Sequence, residues 1–275
     1  MLLLFGTALI ALLSTLGFVY IIPAEIKSPS LQWSVRGFLC LGVFNICARY
    51  LFAVGTNPGT PSSRVYERAL NARIVKEEDD LSGPSGPPSL LTWSRCKKTG
   101  SAKPPRAHYD SVNRELVMNF DHWCPWLFNS VGYGNYRHFL VFLGWIWVLT
   151  SLGLFLSAEP FFTGLKSRGG LDVHELSSVS FVIVFCLCLA LSLAIGVLFS
   201  WHLFLSMTAQ TSVDFLILHG RRSRIDEDYP NPFDSGSIWS NLSGVLFSQG
   251  GGWWELLFPP HPARDPAGKP FPGAW

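Results

Sequence analysis

Four long, predominantly apolar runs constrain this chain more than any other feature. A helix needs about 20 apolar residues to cross the hydrocarbon of a bilayer. Leu2 to Ile22 contains no Asp, Glu, Lys or Arg. The run starts directly after Met1 without a basic residue ahead of it, and Pro23-Ala24-Glu25 is a poor cleavage site, so it reads as a retained anchor. A second span is expected over 31–54. Its uncharged centre runs only from Gly37 to Ala48, between Arg36 and Arg49, which stand where they can snorkel towards water. The shortness of that centre leaves a helix buried in protein as the alternative. A third span is expected over 139–162. A fourth covers 176–213, longer than one crossing needs, so its helix is expected to project beyond the bilayer.

Charge supports this division and orients it. Only 15% of the 275 residues are charged, against about 25% in soluble domains. The net charge is +2 and there is no basic stripe, which argues against a nucleic-acid partner. Four spans place both termini on one side. The loop 55–138 carries Arg64, Arg68, Arg73, Lys76, Arg95, Lys97, Lys98, Lys103, Arg106, Arg114 and Arg137, whereas the other two loops hold Lys27 and Lys166 with Arg168. The excess of positive charge predicts a cytosolic middle loop and cytosolic termini. The chain therefore divides into spans one and two (1–54), the loop (55–138), spans three and four (139–213) and a tail (214–275). Glu77 to Pro88 reads as a linker, and 259–275 as irregular.

Four of the six cysteines, Cys40, Cys47, Cys186 and Cys188, lie in spans and read as small packing residues. Cys96 and Cys124 lie in the loop, where a reducing compartment disfavours a disulfide between them. The loop has no C-x-x-C pair, and its histidines lack zinc-finger spacing. Its densest stretch is Asp121-His122-Trp123-Cys124-Pro125-Trp126, a few residues before span three. A thiol titrates near 8.5 and is mostly protonated at neutral pH. A neighbouring histidine can take its proton, and an aspartate can fix that imidazole's tautomer. On these residues alone, a structural turn with an ordinary cysteine stays equally open. Pro125, Gly132 and Gly134 favour a bent loop over a helix.

The stretch resembles the core of the DHHC protein S-acyltransferases (palmitoyltransferases). Asp121 to Trp126 stands where that family has Asp-His-His-Cys-Pro-Trp, and Asn129, Val131, Gly132, Asn135, Tyr136 and Phe139 match the run that follows. Lys103-Pro104-Pro105-Arg106-Ala107-His108 resembles the approach to the core, and the register from Cys96 to Phe139 needs no gap. Asn57-Pro58-Gly59 is similar to the family's Asp-Pro-Gly motif, and Thr211-Ser212-Val213-Asp214 to its Thr-Thr-x-Glu motif. The segment from Asn231-Pro232-Phe233-Asp234 through Asn241 to Phe247 resembles its C-terminal motif.

The resemblance implies an all-α polytopic membrane protein with four transmembrane helices and a cytosolic, irregular catalytic loop between helices two and three. It implies a protein S-acyltransferase that moves a fatty acyl group, palmitoyl in the first instance, from acyl-CoA to protein cysteines. Cys124 would be the nucleophile, His122 the general base and Asp121 its orienting group. Thr211 and Ser212 would hydrogen-bond the Asp121 region, Asp214 would support them, and Asn241 would anchor the extension of span four. The implied partners are acyl-CoA, cytosolic or membrane proteins bearing cysteine, and the bilayer of an endomembrane (ER or Golgi) or the plasma membrane. The chain also departs from the family. Of eight positions that hold two structural zincs there, only Cys96 keeps its ligand; the others are Thr99, Tyr109, Asp110, Asn113, Leu116, Trp123 and Ser130. No zinc and no other cofactor is therefore expected, and Trp123, Trp126 and Phe128 are the candidates for holding the loop by packing. An inactive scaffold or binding protein of the same fold is the alternative.

Overall fold

The computed structural model describes residues 2–64, 66–67, 70–71, 93–166, 176–225, 231–247 and 252–258. The expected linker over 77–88 and the tail 259–275 lie outside them. The chain is mostly helical: α1 (Leu2–Leu16), a wide turn (Gly17–Ile21), α2 (Ile22–Glu25), α3 (Pro29–Gly55), α4 (Tyr136–Lys166), α5 (Leu176–Met207), α6 (Ser212–Ile225), α7 (Ile238–Leu246) and α8 (Trp254–Leu257). Four stretches, Ala8–Glu25, Pro29–Gly55, Tyr136–Gly164 and Val179–Met207, are long and apolar enough to cross a membrane. Three of them coincide with the expected spans. The fourth ends earlier than its uncharged run. At Met207 the helix closes with Gln210 N–H donating to Leu205 C=O (2.8 Å) and Ala209 N–H to Ser206 C=O (3.3 Å). Ala209 sits at φ 52°, the left-handed residue such a helix end requires. The run 176–213 is therefore two helices, α5 and the start of α6, and α5 alone, at 32 residues, is still longer than one crossing needs.

The structure separates into two compact units. The first comprises residues 1–48 and 141–201. Here small residues let helices approach closely, as in lipid, where no hydrophobic effect drives them together. A Cβ on Gly153 would stand 2.8 Å from Cys188 Sγ. Ser151 and Ser192 share a 2.9 Å hydrogen bond, and Phe161 stacks on Phe185 with centroids 4.1 Å apart. Cys188 is thus the packing residue expected, whereas Cys40, Cys47 and Cys186 are exposed.

The second unit comprises residues 49–140 and 202–275. The loop expected as irregular contains three antiparallel hairpins: β1 (Ser94–Arg95) with β2 (Ala102–Lys103), β3 (His108–Asp110) with β4 (Glu115–Val117), and β5 (His122–Cys124) with β6 (Asn129–Val131). They are tied to the end of α3. Asn129 donates to the carbonyls of Ala53, Val54 and Thr56 (3.1–3.3 Å), and Asn135 to that of Ala53 (3.0 Å). These are the acceptors a helix end leaves unpaired. The following turn is set by Asn57, whose Oδ1 accepts from the amides of Gly59 and Thr60 (both 2.8 Å). Gly134 N–H then reaches Pro58 C=O. A Cβ on Gly134 would lie 2.1 Å from Asn57 C=O, so only glycine allows this approach.

Arg49 does not snorkel. It is fully buried, donates to the backbone carbonyl of Glu255 and lies 3.4 Å from His138 Nδ1. Arg137 pairs with the Glu255 carboxylate at 3.3 Å. Arg49 and Arg137 therefore hold α8 in place.

Candidate active site

The β5–β6 hairpin carries the site. Cys124 pairs with Asn129 across it, and the turn between them needs Phe128 at φ 48°. Tyr50 holds that turn through the Trp126 carbonyl (3.1 Å). Strand alternation would send His122 and Cys124 to one face and Trp123 to the other. The imidazole of His122 uses Nδ1 for Asp121 Oδ2, at 2.7 Å. It also hydrogen-bonds the Cys124 thiol, which leaves Nε2 for that contact. Asp121 is buried and is held from a second direction by Ser212, whose amide reaches Oδ1 at 2.7 Å and whose hydroxyl reaches Oδ2 at 3.0 Å. The edge of Phe139 packs on His122, ring centroids 5.4 Å apart. Asp121, His122, Cys124 and Ser212 are thus brought together.

Burial would drive each charge here towards neutrality, and the hydrogen bonds reverse that. For Asp121, the His122 hydrogen bond, the neighbouring imidazoles of His202 and His122 and the Ser212 amide outweigh desolvation and hold the carboxyl below its ordinary range. For His122, desolvation is overcome by the hydrogen bonds to Asp121 and Cys124 and by their charge, which raise the imidazole to about 9. For Cys124, desolvation is overcome by the His122 hydrogen bond, by the amides of Leu127 and Trp126 at sulfur and by the imidazole charge, which lower the thiol. A thiolate–imidazolium pair is the state these contacts favour. The His122 side chain is 34% exposed, so the pair is reached from that edge.

Thr211 and Asp214 do a different job from the one expected of Thr211. They cap α6 reciprocally: Thr211 N–H donates to Asp214 Oδ2 (2.9 Å), and Asp214 N–H to Thr211 Oγ1 (3.1 Å). This cap fixes Ser212, the first residue of α6, against Asp121. Asp214 also receives Arg106, through Nε at 2.9 Å and a terminal nitrogen at 2.7 Å. The guanidinium lies 4.4 Å over the Phe233 ring and donates to the Ala209 carbonyl. Asn241 donates to the last carbonyl of α5, Met207 (2.9 Å), and Asn231 to Thr208 (2.7 Å). The tail is thereby fastened to the helix end beside the site. Sequence reasoning missed His202, which lies 4.0 Å from Asp121 Oδ2; it stands in an uncharged helix with no motif around it.

The positions that would hold zinc do not fit a metal. Cys96 and Leu116 sit in an apolar cluster with Tyr66, Ala107 and Met118, and Tyr109 packs against it. Asp110, Asn113 and Ser130 satisfy one another instead: Ser130 Oγ donates to Asp110 Oδ2 (2.7 Å), and Asn113 Nδ2 to Ser130 Oγ (3.3 Å). The Asp110 carboxylate also accepts the amides of Val112 and Asn113. Trp123 Nε1 is a buried N–H without a partner among the described residues, and an indole can only donate. The apolar cluster also corrects the expected packing. Trp126 and Phe128 are 52% and 66% exposed, and of the three aromatics only Trp123 is partly covered, edge-on to Phe128. Among the described residues one group of metal-capable side chains lies close together, Asp121, His122 and His202 within 4.8 Å. It belongs to the hydrogen-bonded site just described.

The DHHC palmitoyltransferase family profile matches residues 92–218. The chain is 25% identical to Palmitoyltransferase PFA3 of Yarrowia lipolytica, over 90% of this chain and 68% of that protein. It is 30% identical to the Putative ZDHHC-type palmitoyltransferase 4 of Dictyostelium discoideum, over 93% and 70%. It is 31% identical to the Probable protein S-acyltransferase 15 of Arabidopsis thaliana, over 80% of each. With four apolar helices of spanning length, it is an integral membrane protein. The chain belongs to the DHHC palmitoyltransferase family, and with it to the protein S-palmitoyltransferases.

Proposed function

We propose that this protein transfers a fatty acyl group from acyl-CoA to protein cysteines through an acyl-enzyme on Cys124. The observation that carries the reading is the chain of contacts from sulfur through imidazole to a buried carboxylate on one hairpin. His122 takes the Cys124 proton, and the thiolate attacks the thioester carbonyl of acyl-CoA. The tetrahedral adduct collapses, the C–S bond to coenzyme A breaks, and the imidazolium returns its proton to the departing thiolate. In the second half an acceptor cysteine gives its proton to His122, attacks the acyl carbon and expels the Cys124 thiolate. Asp121 holds the tautomer in which Nε2 accepts. Because acyl-CoA is a charged cytosolic donor, this reading places Cys124 at the cytosolic face, which agrees with the basic loop.

Mixing enzyme with acyl-CoA is expected to release a burst of free coenzyme A equal to one per chain before any acceptor is added. Cys124→Ser is expected to abolish the burst. A wild-type protein that binds acyl-CoA without a burst would be a scaffold and not an acyltransferase. The rate should reach its plateau below the ordinary thiol range near 8.5. It should fall on the acid side as Cys124 is protonated, and change again as His122 loses its proton near 9.

The loop is also proposed to stand without zinc. Purified protein is expected to contain well under two zincs per chain, and its unfolding midpoint should be unmoved by a strong chelator. Two tightly held zincs would contradict the residue chemistry at Leu116, Trp123 and Ser130.

A further inference from the structure

The site contains a second imidazole that the reaction scheme leaves unused. His202, near the end of α5, is buried. Its Nδ1 stands 4.0 Å from Asp121 Oδ2 and 3.1 Å from the hydroxyl of Tyr136. The same hydroxyl donates to the His202 carbonyl at 3.3 Å. A phenol has one proton. With that proton on the carbonyl, the phenol oxygen accepts from His202, and Nδ1 carries the hydrogen in that arrangement.

The carboxylate's other contacts come from elsewhere. Ser212 supplies two donors and His122 the third. Phe139 stands edge-on to both rings, 5.0 Å from His202 at 89° and 5.4 Å from His122 at 65°. The two imidazoles have centroids 5.8 Å apart. The ionisable groups facing His202 are Asp121, His122 and Tyr136, and those facing His122 are Asp121, Cys124 and His202. A second positive charge at this separation would oppose the His122 imidazolium, whereas a neutral N–H supports the carboxylate without that conflict.

We propose that His202, held by Tyr136, is a positioning residue for acyl transfer, carrying its proton on Nδ1 so that the positive edge of the neutral ring lies beside Asp121 Oδ2 and keeps that carboxylate anionic and aligned on His122 Nδ1. The inference rests on the reading of Cys124 as nucleophile and His122 as base, so its test reads the thiol directly and uses no acyl donor.

The test is the pH dependence of Cys124 alkylation by iodoacetamide, followed on the Cys124 peptide by mass spectrometry in the full-length protein in detergent. His202→Leu is expected to raise the midpoint by about one pH unit, leaving about tenfold less thiolate at pH values below the wild-type midpoint. The limiting rate at alkaline pH should be unchanged. His202→Asn, which keeps an N–H at the δ position, should restore the wild-type midpoint. Tyr136→Phe releases the imidazole and should move the midpoint the same way by less; it carries the test with His202→Asn if the leucine variant does not fold. Wild-type midpoints in both His202→Leu and Tyr136→Phe would overturn the proposal. So would an asparagine variant that titrates like leucine, since ring volume and not the donor would then matter. An unchanged midpoint in His122→Ala would instead overturn the underlying assignment of the base.

Discussion

Asp121→Asn is expected to slow acyl-enzyme formation by a hundredfold or more, towards the roughly 10⁴ that a wrong tautomer costs a Ser-His-Asp triad. The carboxylate now accepts from His122 Nδ1 at 2.7 Å, which leaves the other nitrogen free to take the thiol proton. An amide can turn its NH₂ to Nδ1 instead. The imidazole proton would then sit on Nε2, facing sulfur, and the base would be lost. The fold should tolerate the change, because the Ser212 amide at 2.7 Å can still donate to an amide oxygen. The check is the initial rate of label incorporation from acyl-CoA at saturating donor, beside an unfolding curve. A variant that folds normally and labels within a few-fold of wild type would show that Asp121 does not set the tautomer.

Arg106→Met should be the most destabilising single change. Both partners of its ion pair with Asp214 are buried, their side chains 1% and 3% exposed, and the contact is 2.7 Å. Removing the cation strands a carboxylate away from water, a loss of about 3–5 kcal/mol in other buried pairs. For a chain of this size that is roughly ten degrees in the unfolding midpoint. The double change Arg106→Met with Asp214→Asn removes the stranded charge and keeps an acceptor for the α6 cap, so it should recover much of the loss. The measurement is the thermal midpoint of the two variants in detergent. A single variant within one or two degrees of wild type would mean that the pair contributes little and that Phe233 and the cap hold the tail.

The long-range plan of the molecule was legible because it is written in composition. Uncharged runs mark spans, and the Asp-His-x-Cys string with its flanking motifs marks the site. Asp121, His122, Cys124 and Ser212 lie together in the structure. The misreadings share a cause, since hydropathy does not register local hydrogen bonding. The run 176–213 is uncharged throughout, yet Ala209 ends one helix and Thr211 with Asp214 begins another. Arg49 looked like an interfacial residue because its partners, the Glu255 carbonyl and His138, are distant in sequence. Trp126 and Phe128 looked like core because they are large, but the hairpin turn points them outward and Leu116 and Met118 fill the core instead. His202 was invisible for the same reason: its meaning comes from Tyr136 and Asp121, 66 and 81 residues away in the chain.

The most direct measurement of the central claim is the position of the acyl group after brief exposure to palmitoyl-CoA. Peptide mass spectrometry should find it on Cys124 as a thioester that hydroxylamine removes, and it should leave that residue when a cysteine-bearing acceptor is supplied. Cys40, Cys47 and Cys186 are the exposed thiols of the chain and serve as the internal comparison, since Cys124 is buried and would acquire an acyl group only by activation. Acylation confined to those three, with Cys124 unmodified, would contradict the account.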